Sequence, residues 1–205
     1  MGGTHLATDS LPSHEQMVEN ITSVYAFASH DEKREGILWY VEASEWAQSI
    51  ASAYYISKEQ AAQVVAALSP LTPWARNLEL ATDAIKQYAK GAGPELPTLS
   101  NSWKRARQIL EGKSLKWQPK TDAFWHLIAD PLSSEYVCID SHALAIAFGL
   151  VEPGTFKVTT KTYGKVADAY RDAARRLGLL PSHIQAITWV TRHRLLVDAG
   201  YPQRY

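Results

Sequence analysis

Apolar positions along the chain recur at three- and four-residue spacing, and no stretch alternates convincingly as a strand would. From Glu15 to His30 the apolar residues are Met17, Val18, Ile21, Val24, Tyr25 and Ala28, which is one face of a helix. A second helix is expected from Glu32 to Ala53, with Ile37, Leu38, Val41, Trp46 and Ile50 on one face. Ser57-Lys58-Glu59-Gln60 has the pattern of a capping box, and the helix it opens runs through Val64, Val65 and Ala67 to Leu68. Pro70 and Pro73 then force a stiff turn. Thr72-Pro73 starts the next helix, expected to run to Ala89 and stop before Gly91 and Gly93. A short basic helix from Trp103 to Leu110 follows, closed by Gly112.

Lys113 to Pro119 is a polar connector. Thr121 to Ala129 is helical, with Phe124, Trp125, Leu127 and Ile128 on its apolar side, and Tyr136 to Ile139 is a short extended run. Asp140 or Ser141 caps a helix through Phe148 that Gly149 ends. A lysine-rich loop from Phe156 to Tyr163 leads into a helix from Gly164 to Leu177, and Gly178 stops it. Pro181 opens the last helix, with Ser182 and Gln185 as a second capping-box pair, and this helix runs to Val197. With residues 1–12 as a loose arm, the expectation is one all-α domain over residues 1–205. It would have about nine helices in two lobes, with the N- and C-terminal helices packed together.

A chain of 205 residues can bury one good core without a second domain. No apolar run approaches the ~20 residues of a membrane helix and the N-terminus has no signal-peptide pattern, so a cytoplasmic protein with no membrane partner is expected. Cys138 is the single cysteine, which excludes an internal disulfide and an all-cysteine metal or iron–sulfur site within one chain. Net charge is zero, but it is unevenly placed. Residues 1–100 hold 6 Lys+Arg against 12 Asp+Glu, and residues 101–205 hold 15 against 9. The cations concentrate at Lys104, Arg105, Arg107, Lys113, Lys116 and Lys120, and again at Lys157, Lys161, Lys165, Arg171, Arg175 and Arg176. Such asymmetry suits a polyanion partner, although two solvated helix faces would give the same count.

Lys120 falls at the head of an apolar helix, the end where a cation is disfavoured for stability. A lysine there is a candidate nucleophile, since desolvation or a helix N-terminus favours the neutral amine; a surface lysine is the plainer alternative. Asp140 ends the apolar run Val137-Cys138-Ile139 and opens an apolar helix. It is a natural N-cap, and a half-buried N-cap carboxylate can also face a developing cation. His142 lacks neighbours at metal-ligand spacing, so no metal is expected.

Three segments together resemble the helix-hairpin-helix (endonuclease-III-like, HhH-GPD) DNA glycosylase superfamily. Pro119-Lys120-Thr121 followed by an apolar helix is similar to its hairpin end, and Ile139-Asp140-Ser141-His142-Ala143 to its Val-Asp-Thr-His-Val. Ala67-Leu68-Ser69-Pro70-Leu71-Thr72 looks like the family's Leu-Leu-Ser-x-Gln-x-Thr, and the stretch from Ile184 to Arg194 looks like its closing helix. The likeness covers roughly residues 60–197 and puts Lys120 on the family's catalytic lysine and Asp140 on its aspartate. A smaller prokaryotic and phage branch, written ALSP-x3-W-x2-N, is similar over Ala67–Asn77, and glycosylases of this general kind are implied in defence against hypermodified phage DNA. Two departures stand out. The hairpin Lys116-Trp117-Gln118-Pro119 lacks glycine, leaving Lys113 and Lys116 to attract phosphate by charge, and the four-cysteine cluster of some relatives is absent.

The resemblance implies a monomeric, cofactor-free enzyme that flips a modified or damaged base, such as a modified cytosine, out of duplex DNA and cleaves its glycosidic bond. Leu71, or Thr72 beside it, would fill the gap in the stack, while Lys113, Lys116, Trp117 and Gln118 would contact DNA. Trp74, Asn77, Trp125, His142, Gln185 and Trp189 would line the base pocket, since aromatic faces stack bases and amides read their edges. Asp140 would stabilise charge on the sugar, and Lys120 would attack C1′, with strand cleavage to follow, or water would attack instead. The rival expectations are a catalytically silent DNA-binding module on the same fold and a helical protein with no nucleic-acid role.

Overall fold

The structure is a computed structural model that describes residues 11–91, 100–150 and 159–201. Among these residues there are nine α-helices and no strand: α1 His14–Ala26, α2 His30–Tyr54, α3 Lys58–Leu68, α4 Trp74–Ala89, α5 Ser100–Leu110, α6 Pro119–Ala129, α7 Ser141–Ala147, α8 Thr160–Leu177 and α9 Pro181–Asp198. None is long and apolar enough to cross a membrane. Residues 1–10 of the expected arm, and the first part of the lysine-rich loop with Lys157, lie outside the described residues.

Local chemistry sets most boundaries. Ser57 and Gln60 form the expected capping box at α3. A second box, Ser29 with Glu32, starts α2 at His30, so that histidine belongs to α2 and α1 ends at Ala26. Thr159 caps α8 through the amide of Thr162, so this helix begins four residues before Gly164. The box expected at Ser182 and Gln185 does not form. Leu180 is the N-cap, Pro181 fills the first turn, Ser182 is fully buried with its hydroxyl unpartnered, and Gln185 turns inward to Tyr40.

The buried stripe of α2 also differs from expectation. It is Gly36, Tyr40, Ala43, Ala47 and Ala51, and Leu38 is exposed. Small residues on this stripe let α2 lie close against α9. A Cβ at Gly36 would stand 2.5 Å from both Cγ1 and the backbone nitrogen of Ile187.

Buried side chains gather in two clusters. One joins α2 to α6, with Cys138 and Ala186; the other joins α1, α7 and α8, with Val137, Ile139 and Ile184. The N-terminal helix α1 packs against α8 and α9, as expected of the chain ends. Two links hold it there: Arg176 grips both carboxylate oxygens of Glu15 at 2.8 and 2.7 Å, and His14 pairs with Asp172. The segment Val137-Cys138-Ile139 runs between the clusters. Its side chains alternate in the manner of a strand, with Val137 and Ile139 entering one cluster and Cys138 the other. It has no strand partner; instead the Tyr163 hydroxyl of α8 donates to the Val137 carbonyl and accepts from the Ile139 amide at 3.4 Å.

Candidate functional site

Asp140 emerges where that segment ends. It is the N-cap of α7, with Oδ1 accepting the Ala143 amide at 2.7 Å, and Ser141 is the first helical residue. Its second oxygen has no hydrogen bond among the described residues, and the side chain is half-buried. A carboxylate fixed by one oxygen, with the other open, can face positive charge without moving.

Lys120 stands in the first turn of α6 with its side chain exposed. Its carbonyl accepts the Cys138 thiol at 3.7 Å, a link that stitches the head of α6 to the segment delivering Asp140. Burial pushes the Cys138 thiol up to about 12; the Lys120 charge opposes that shift and the Asp140 charge adds to it. The thiol is therefore protonated at neutral pH and free to donate. The same two charges meet on His142: burial lowers its pKa, Asp140 opposes this, and Arg192 and Lys120 reinforce it. Lys120 and Asp140 thus converge on one locale, although 19 residues lie between them in sequence.

His142 is buried, and its Nδ1 has no partner among the described residues. Its ring lies 4.7 Å from His193 and 6.2 Å from Trp189, and the Trp189 ring is tilted against His193 at 4.0 Å. Burial lowers His193 to about 4, helped by His142 and opposed by Asp140. Both imidazoles are therefore neutral at pH 7, within reach of the Asp140 charge.

The turn between α3 and α4 has an unusual backbone. The Thr72 amide bonds to the Ser69 carbonyl at 3.2 Å across Pro70 and Leu71, and Leu71 has φ 58°. This is the pattern of a turn with proline second and a left-handed third residue, a place that favours glycine. Leu71 is nevertheless leucine and 94% exposed, so it is not a core residue. Thr72 hydrogen-bonds the Pro70 carbonyl at 3.2 Å, which stiffens the turn.

The remaining expected site residues divide. Trp74 meets Trp39 and Phe124 in a half-buried aromatic cluster, and Gln185 accepts from Tyr40 at 3.3 Å. Asn77 is 1% exposed and donates to the Val65 carbonyl at 3.1 Å, tying α4 to α3 beneath the Leu71 turn. Trp125 sits apart: its indole donates to Asp122 at 3.1 Å and it stacks on His126, which stacks in turn on Tyr136. In the connector, Arg105 lies 4.7 Å over Trp117 and donates to the Lys116 carbonyl at 3.0 Å. Lys113 pairs with Glu111, whereas Lys116 and Gln118 are exposed, and Gln118 makes no side-chain cap bond.

Each of the two expected basic patches mixes paired and open cations. Arg171, Arg175 and Arg176 of α8 are each paired with a carboxylate. Lys104, Lys116 and Lys120 have no ion pair among the described residues, and neither do the exposed Lys161 and Lys165 of the second patch, so each patch keeps open cations. Sequence reasoning missed Trp39, Tyr40, Phe124, Tyr163 and His193. In the sequence Phe124 is one apolar position on the face of α6. Trp39 and Tyr40 stood in the Leu38–Val41 run of an amphipathic helix, and their chemistry shows only once α4, α6 and α9 are in place.

A family model matches residues 4–195; its description is a family of unknown function, DUF7178. The chain belongs to DUF7178. No curated protein matches it, and no solved structure does. For this DUF7178 chain, what the site does follows from its own residues.

Proposed function

We propose that the chain is a DNA glycosylase that extrudes a modified or damaged base and breaks its glycosidic bond, with Asp140 and Lys120 as the catalytic pair. The observation that carries the reading is their convergence: the Cys138 thiol on the Lys120 carbonyl brings the α6 head beside Asp140, and both charges act on His142. The carboxylate stabilises positive charge on the sugar as the base departs. The Lys120 amine, once neutral, attacks C1′; the C1′–N bond breaks, and the base leaves with the bonding electron pair and takes up the proton that the amine gives up. The C1′–O4′ bond of the resulting aminal then opens, O4′ takes up a proton, and a protonated Schiff base remains.

Further features support the reading. A rigid turn presents an exposed leucine suited to filling the space of an extruded nucleotide, the open cations flank the α5–α6 connector, and two apolar clusters fit a two-lobed fold. Repair and defence against hypermodified phage DNA use the same chemistry. The test is base release from duplexes with damaged bases and from phage DNA with modified cytosines. Wild type should generate abasic sites on at least one substrate, and Asp140→Asn should lower the rate by at least ~10²-fold. DNA binding without release on any substrate would favour the silent binding module.

A further inference from the structure

Three aromatic rings from three helices meet close to the Leu71 turn. Trp74, three residues beyond Leu71, lies 5.0 Å from Trp39 of α2 and 6.1 Å from Phe124 of α6, and Trp39 is 6.0 Å from Phe124. All three are half-buried, so each keeps surface open to a ligand. Tyr40 extends the cluster inward. Its ring stands edge-on to Trp39 at 4.7 Å and 6.4 Å from Phe124, and its hydroxyl donates to Gln185 Oε1 at 3.3 Å.

Gln185 is 6% exposed, and its Nε2 makes no hydrogen bond among the described residues. A nearly buried amide with its oxygen engaged and its two N–H groups still reachable from solvent can take an acceptor from a ligand. The aromatic surface and the unpaired amide nitrogen are independent observations, and Tyr40 joins them.

We propose that Trp39, Trp74 and Phe124 are the surface on which the extruded base stacks, and that Gln185, held by Tyr40, reads the edge of that base through Nε2. The substrate class is then a base presenting an acceptor at that edge, either a carbonyl oxygen or an unprotonated ring nitrogen; a base presenting only an exocyclic amine there is rejected. Tyr40 is a positioning residue, since its hydroxyl keeps the amide oxygen engaged and the nitrogen outward. The proposal rests on the glycosylase reading.

The experiment compares base-release rates across duplexes whose target bases differ in edge acceptors and donors, and in parallel measures quenching of tryptophan fluorescence by free nucleobases. Gln185→Glu replaces the donor with an acceptor and should lower release of the preferred base at least tenfold, with a melting temperature close to wild type. Tyr40→Phe should narrow the rate ratio between acceptor-edge and donor-edge bases several-fold. Trp39→Leu should abolish quenching by the preferred nucleobase. Release and selectivity unchanged in Gln185→Glu and Tyr40→Phe, with wild type active, would overturn the assignment while leaving the glycosylase reading intact. If wild type releases no base, that reading fails, and quenching decides the site alone: a signal lost in Trp39→Leu supports it, and no signal in wild type overturns it.

Discussion

The Cys138 thiol donates to the Lys120 carbonyl at 3.7 Å, and this one weak bond ties the helix carrying the amine to the segment carrying the carboxylate. Cys138 is 5% exposed and protonated at neutral pH, so it serves as a packed donor and not as a nucleophile. Cys138→Val removes the donor at nearly constant volume. It should cost ~1 kcal/mol of stability and lower the rate of imine formation several-fold, with a smaller effect on DNA affinity. Stopped-time borohydride trapping beside a binding titration checks this.

Leu71 has φ 58° and is 94% exposed, so its conformation is strained and its side chain stabilises nothing within the fold. The left-handed conformation costs a residue with a Cβ roughly 1 kcal/mol, and glycine relieves it. Leu71→Gly should therefore leave the melting temperature unchanged or raise it by a few degrees, yet lower base release about tenfold through loss of the wedge. Thermal unfolding and single-turnover kinetics on one preparation separate the two effects. A core leucine would lose stability instead.

Burial lowers His193 to about 4 and lowers His142 as well, while the unfolded chain titrates near 6.5. The unfolded state therefore binds more protons between those values, so the stability these groups contribute is complete above about 6.5 and is lost as pH falls toward 4. The charges facing the pair are Asp140, Arg192 and Lys120, and only Asp140 opposes the shift. The melting temperature should fall by several degrees from pH 7 to pH 5, and His193→Phe should flatten that slope. An identical slope in the variant would remove His193 as the cause.

Helices were legible wherever a cap and an apolar stripe coincided, as at Ser57 and Gln60 for α3 or Asp140 for α7. The start of α9 at Pro181 was legible too, but its cap was not, because Ser182 and Gln185 carry the capping-box spelling and yet bury their side chains, and only contact with α2 shows that Gln185 belongs to Tyr40. The buried stripe of α2 was hidden for a related reason: its alanines and Gly36 carry little hydropathy, and their value is the close approach they permit to α9. Lys120 and Asp140 could be singled out from helix ends and resemblance, but the Cys138 bond between their segments, and the buried His142–His193 pair that feels the Asp140 charge, are tertiary facts.

The central claim is the pairing of amine and carboxylate, and borohydride trapping on DNA with an abasic site or a released base tests it most directly. Wild type should give a covalent protein–DNA adduct, Lys120→Ala should give none, and Asp140→Asn should give little from base-containing DNA. An adduct that persists in Lys120→Ala, or base release that is indifferent to Asp140→Asn, would contradict the assignment of these two residues.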